Sequence, residues 1–126
     1  MSVKVLVVDD TDHVRVMMAD MLSLDGFEVV GRAASGAEAL TLAAETDPDV
    51  VVMDLKMPDL DGLETTKLLK ESRPDQAVIL YTAYLDRVIE AQAREHGVTL
   101  CVGKSEGLPE LERQISQLML ELTGDS

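Results

Sequence analysis

Two hydrophobic rhythms alternate along the whole chain. Short apolar runs at Val3–Val8, Phe27–Val30, Val50–Met53, Ala77–Tyr81 and Val98–Val102 have the length and β-branched content of strands. Between them, apolar residues recur at helical spacing. Val14, Met17, Met18, Met21 and Leu22 form one stripe that stops near Gly26, and its methionines read as core packing. Ser35 and Glu38 fit a capping box that opens a second helix through Ala44, with Pro48 beyond its end. A third helix spans Leu63–Ser72 and closes before Pro74. A fourth spans Leu85–His96, with Gly97 where a left-handed cap would fall. The last begins near Pro109 and carries Leu111, Ile115, Leu118, Met119 and Leu122 on one face.

Strands that alternate with helices in this way predict an α/β fold, with a parallel sheet covered on both sides. The middle strand, "DVVVMD", is apolar at consecutive positions, as a strand buried on both faces should be. With no linker, repeat or low-complexity tract, residues 1–126 read as one domain, its core about 3–122, with no output domain attached. In open sheets of this kind ligands bind beyond the carboxyl ends of the strands. There the first strand ends in Asp9 and Asp10, the third in Asp54, the fourth in Thr82 and the fifth in Lys104, while the second ends blandly in Gly31.

Composition narrows the function classes. A formal net charge of -13 repels DNA and anionic membranes, so the chain alone is expected to bind neither. The scarce aromatics, Phe27, Tyr81 and Tyr84, cannot build a base-stacking surface. Cys101 is the single cysteine, and no apolar run spans a bilayer, so cytoplasm is the expected compartment.

Converging carboxylates are costly without a cation among them. Mg²⁺, with Mn²⁺ as an alternative, suits an all-oxygen donor set, and Lys104 adds a second positive charge. Such a site is prepared for a phosphoryl group, with an Asp carboxylate as nucleophile and the Thr82 hydroxyl as a hydrogen-bond donor. The opening "VLVVDDTDHV" also fits a different phosphate chemistry, with Asp10 as nucleophile and Asp12 as acid/base.

"VLVVDD", "VVVMDLKMPDLDGLE", "YTAY" and "CVGK" together resemble the receiver domain of two-component response regulators, a chemotaxis-Y-like phospho-acceptor, over about Val3–Leu122. The block from Asp54 through Met57, Pro58, Asp61 and Gly62 is the most specific part. The resemblance implies a doubly wound five-stranded sheet in the order 2-1-3-4-5, and phosphoryl transfer to Asp54 from the phosphohistidine of a sensor histidine kinase or histidine phosphotransfer protein. It implies Mg²⁺ held by Asp54, by Asp10 directly, by Asp9 largely through water, and by the backbone carbonyl of Lys56. Thr82, followed by the small Ala83, and Lys104 would contact the phosphoryl oxygens. Phosphorylation would switch the face of the fourth helix, fifth strand and fifth helix, and homodimerisation through that face is compatible with it. Such a domain promotes its own phosphorylation and dephosphorylation and is not a turnover enzyme.

The competing match is to haloacid-dehalogenase-like phosphatases, through Asp10 and Asp12. Those enzymes need a later acidic pair, and only Gly124-Asp125 stands near a suitable position, so Asp12 reads instead as first-turn helix electrostatics. His13 is expected to lie exposed on the first helix, and a flavodoxin-like cofactor binder lacks its phosphate-wrapping loop. Two departures from the receiver pattern matter. Cys101 stands where the family usually has an aromatic switch residue, which makes Tyr84 the candidate moving ring and leaves open a receiver that works without phosphorylation. Ser105 follows Lys104 where proline is common, and the cost of a non-proline cis bond predicts a trans peptide. By the same resemblance, Lys56 and Tyr84 occupy positions that flank the phosphoryl group, where a long cation and a bulky ring predict slow self-dephosphorylation.

Overall fold

The computed structural model of the chain describes residues 2–123. Strands β1 (Lys4–Val8), β2 (Glu28–Ala33), β3 (Val50–Met53), β4 (Ala77–Thr82) and β5 (Leu100–Gly103) form one sheet in the order β2-β1-β3-β4-β5. Every neighbouring pair is parallel. Helices α1 (Asp12–Leu24), α2 (Gly36–Thr46), α3 (Gly62–Ser72), α4 (Arg87–Glu95) and α5 (Leu108–Thr123) follow the strands in turn. A single 3-10 turn covers Lys104–Glu106. The expected doubly wound 2-1-3-4-5 architecture is what the chain adopts.

Alternate strand residues face opposite sides of the sheet, so each strand feeds two cores. Leu6, Val8, Val51, Met53, Val78 and Leu80 meet Ala39 and Ala43 of α2, Leu63 and Leu69 of α3, and Ala93 of α4. Val5, Val7, Val50, Val52, Ile79 and Tyr81 meet Met18 and Leu22 of α1, and Leu111, Ile115 and Leu118 of α5. All four β3 residues are buried, as a central strand with two covered faces requires.

The helix starts are fixed by side chains that take free amides. Ser35 Oγ accepts from Glu38 N–H at 3.2 Å, and Glu38 Oε1 accepts from Ala34 N–H at 3.1 Å, one residue before the cap itself. Asp61 caps α3 through Glu64 N–H, and Asp86 caps α4 through Ile89 N–H. Asp86 explains why α4 begins at Arg87 and not at Leu85. Gly97 adopts φ +96°, the left-handed cap expected there. The Lys104–Ser105 peptide is trans.

Three further expectations are corrected. β2 runs on to Ala33 instead of ending near Gly31, because Gly31, Arg32 and Ala33 pair with Leu6, Val7 and Val8. As an edge strand it keeps polar Arg32 in water, which breaks its apolar run. β5 starts at Leu100, because Val98 N–H still bonds the Ala93 carbonyl at the end of α4. Finally, Met17, Met21 and Leu122 are not core: they are 51%, 41% and 59% exposed. The inward direction of α1 passes through Met18, Ala19 and Leu22, so residues about 100° before Met18 and Leu22 turn to solvent.

Candidate functional site

Parallel strands bring their carboxyl ends to one edge of the sheet, and the neighbours β1 and β3 do so in register. Val8 pairs with Met53, so the residues that follow, Asp9 and Asp54, emerge side by side. Asp54 N–H bonds the Val8 carbonyl and Asp9 N–H the Ala33 carbonyl, each at 3.0 Å, which extends the ladder under both acids. On the other side Thr82 closes β4 opposite Gly103, which precedes Lys104.

The side chains converge. Asp9, Asp10 and Asp54 each present a carboxylate oxygen within 4.8 Å of the others. Asp9 and Asp54 are buried and Asp10 is exposed. Lys104 Nζ lies 2.9 Å from Asp9 Oδ2 and 3.4 Å from Asp54 Oδ1. Local amides aim the acids: Thr11 N–H donates to Asp9 Oδ1 at 2.9 Å, and Leu55 N–H to Asp54 Oδ1 at 2.9 Å. Thr82 is fully buried, and its Oγ1 accepts from Tyr84 N–H at 3.1 Å.

One ammonium cannot balance this group. Burial pushes the Asp54 carboxyl above its usual range and the Asp9 charge pushes it further, against Lys104 and the Leu55 amide. Burial also works against the charge on Lys104, but the Asp9 hydrogen bond and the attraction of Asp54 outweigh it and raise its pKa. The ammonium is thus held firmly while Asp54 remains short of positive charge. An exposed third carboxylate beside that deficit, in an all-oxygen donor set, fits a hard divalent cation that keeps some of its water.

The remaining sequence-predicted residues divide. Lys56 is exposed on the β3–α3 loop, with its Nζ 4.5 Å from the centroid of the Tyr84 ring. Tyr84 is 56% exposed, and Ala83 beside it is also exposed. Cys101 lies on β5 away from the carboxylates, half-buried in a groove of about 310 Å³ with Glu90 and Arg94, and burial pushes its thiol up. His13 is exposed on α1. Asp12 does not join the acidic cluster: its side chain is 87% exposed and pairs with Arg15 at 2.6 Å. Gly124 and Asp125 lie outside the described residues.

Thr11 caps α1 by position, but its side chain makes no capping bond. Sequence reasoning also missed Arg15, which donates to the Asp9 carbonyl at 2.8 Å and so braces the acidic loop. Its spacing from Asp12 was a readable helix pair; its reach to the Asp9 backbone was not.

Residues 5–116 match the family model of the response regulator receiver domain. The chain is 41% identical over 117 residues to response regulator GacA of Pseudomonas aeruginosa, covering 92% of this chain and 55% of that protein. A two-component response regulator of the LuxR family from Aurantimonas sp. superposes with TM-score 0.91 at 30% identity, covering 96% of this chain and 87% of that one. The receiver domain of the putative response regulator NarL from Mycobacterium tuberculosis gives TM-score 0.86 at 30% identity, over 93% and 95%. The chain spans about half the length of the curated relatives it matches first.

Proposed function

The chain belongs to the response regulator receiver domain family, and from that premise we propose that Asp54 accepts a phosphoryl group from the phosphohistidine of a sensor histidine kinase or histidine phosphotransfer protein. One observation carries the reading: a buried aspartate short of positive charge, flanked by two further carboxylates and tethered to a lysine. An oxygen of the Asp54 carboxylate attacks phosphorus while the P–N bond breaks. The bonding pair stays on the imidazole nitrogen, which takes a proton from solvent, leaving an aspartyl phosphate and free histidine.

Asp9, Asp10, Asp54 and the Lys56 carbonyl would hold Mg²⁺, which when bound supplies positive charge to the phosphoryl oxygens. Lys104 supplies a second positive charge. It already lies 3.4 Å from Asp54, so little movement separates it from a phosphoryl oxygen. The Thr82 hydroxyl, now an acceptor for Tyr84 N–H, can turn its own proton toward the same group. That exchange couples the phosphoryl group to the β4–α4 loop, and through it to the face formed by α4, β5 and α5. On this reading the domain works in the cytoplasm as a switch, and its surface charge keeps it from nucleic acid. No helix among the described residues is long and apolar enough to cross a membrane.

The test is incubation with Mg²⁺ and a small acyl phosphate, followed by intact-mass analysis. A single phosphoryl adduct is expected on the wild type, and none on Asp54→Asn or after chelation. Equal labelling of Asp54→Asn, or acyl-phosphate turnover that persists in Asp54→Asn, would contradict the reading.

A further inference from the structure

The geometry points to Asp59 as a positioning residue, one that holds the β3–α3 loop in place by capping a different helix, α2. This rests on the proposal that the Lys56 carbonyl on that loop is a ligand of the divalent ion. The first amides of a helix have no partner within it. At α2 they are shared between two sources. Ser35, the helix's own cap, takes Glu38 N–H. Asp59 takes the other two: Oδ1 accepts from Gly36 N–H at 3.1 Å and Oδ2 from Ala37 N–H at 3.0 Å.

The contact is close as well as polar. A Cβ on Gly36 would stand 2.3 Å from Thr65 Oγ1 of α3 and 3.0 Å from Leu60 Cβ of the loop, so α3 and the loop's end both approach the helix start closely where glycine is. The loop is also tied at its ends. Gly62 N–H bonds the Leu55 carbonyl at 2.7 Å, and Leu55 N–H bonds Asp54 itself. Between these anchors Lys56, Met57 and Pro58 carry the chain to Asp59, which fixes the far side, and Met57 packs against the core below them. The Leu60 amide and the two α2 amides also hold the Asp59 carboxyl below its usual range, so it stays an acceptor. The α2 start therefore sets where the loop, and the Lys56 carbonyl on it, can lie.

A merely stabilising cap would behave differently, and Ser35 supplies the control, because Ser35→Ala weakens the same helix end without touching the loop. Three quantities separate the two roles: amide exchange across residues 55–60 in metal-free protein, the Mg²⁺ dissociation constant from amide shifts, and the melting temperature. Asp59→Ala is expected to speed exchange across the loop and weaken Mg²⁺ binding by on the order of tenfold, the usual scale for a residue that orients a ligand. Asp59→Asn, which keeps one acceptor oxygen, is expected to recover part of both. Ser35→Ala is expected to lower the melting temperature comparably while leaving Mg²⁺ affinity within about twofold. Equal loss of Mg²⁺ affinity in Asp59→Ala and Ser35→Ala, or unchanged loop exchange in Asp59→Ala, would overturn the inference. If the wild type bound no Mg²⁺ the functional reading would fall, and exchange in the metal-free protein would still decide whether Asp59 anchors the loop.

Discussion

At the scale of single residues, the site is a set of unbalanced charges that close packing holds together. Asp54 is placed by its own backbone, and Gly62 is what lets the chain fold back over it. A Cβ on Gly62 would lie 2.2 Å from the Asp54 carbonyl oxygen, and backbone cannot give way as a side-chain tip can. Gly62→Ala is therefore expected to destabilise the fold by roughly 1–3 kcal/mol and to slow labelling of Asp54, as measured by chemical denaturation and by the acyl-phosphate reaction. Unchanged stability and labelling would mean that the loop tolerates the shift. The motif announced this glycine in the sequence, but its reason is a contact that no spacing reveals. The strand-end acids, Thr82 and Lys104 were legible because parallel strands must end together. Arg15 and Asp59 act on backbone groups of other segments, so hydrophobic pattern left no trace of them.

At the scale of elements, two loops meet above the acids. Lys56 from the β3–α3 loop lies over the Tyr84 ring of the β4–α4 loop. An exposed contact of this kind is worth about 0.5–1 kcal/mol. If it narrows the approach of water to the phosphorylated site, removing either partner raises the self-dephosphorylation rate roughly two- to fivefold. The decay of purified phosphoprotein in Lys56→Ala and Tyr84→Ala checks this, and an unchanged rate in both would contradict it. Element boundaries were least legible where a strand or helix faces water. β2 is an edge strand whose polar residues hide its length, and α1 has a wider apolar stripe than its buried side. Central β3, buried on both faces, was read to the residue.

At the scale of the whole molecule, an excess of acid shapes stability as well as function. Glu112 on α5 faces Asp25 at the end of α1, and its Oε2 is buried with no hydrogen-bond donor. Burial, then the neighbouring Asp25 carboxyl, which favours a proton held between the two acids and repels a second negative charge, push the Glu112 carboxyl from 4.5 up to about 7. Between those values the folded chain holds a proton that the unfolded chain has released, so stability falls as pH rises through this window. Partial exposure screens the effect to on the order of 1 kcal/mol. Glu112→Gln, which keeps a donor toward Asp25, is expected to flatten the dependence and raise the melting temperature at pH 8 but not at pH 4.5. An equal pH slope in both proteins would rule the pair out as its source. The -13 charge was plain in the sequence; that two of its acids share a helix interface was not, because they lie far apart along the chain.

The identity of the nucleophile tests the account most directly, since the opening stretch of sequence fits two chemistries that place it differently. Borohydride reduction of the phosphorylated protein converts an aspartyl phosphate to homoserine, which peptide mass mapping locates. The expected result is conversion at Asp54 alone. Conversion at Asp10, with sustained release of phosphate, would contradict the account and restore the phosphatase reading.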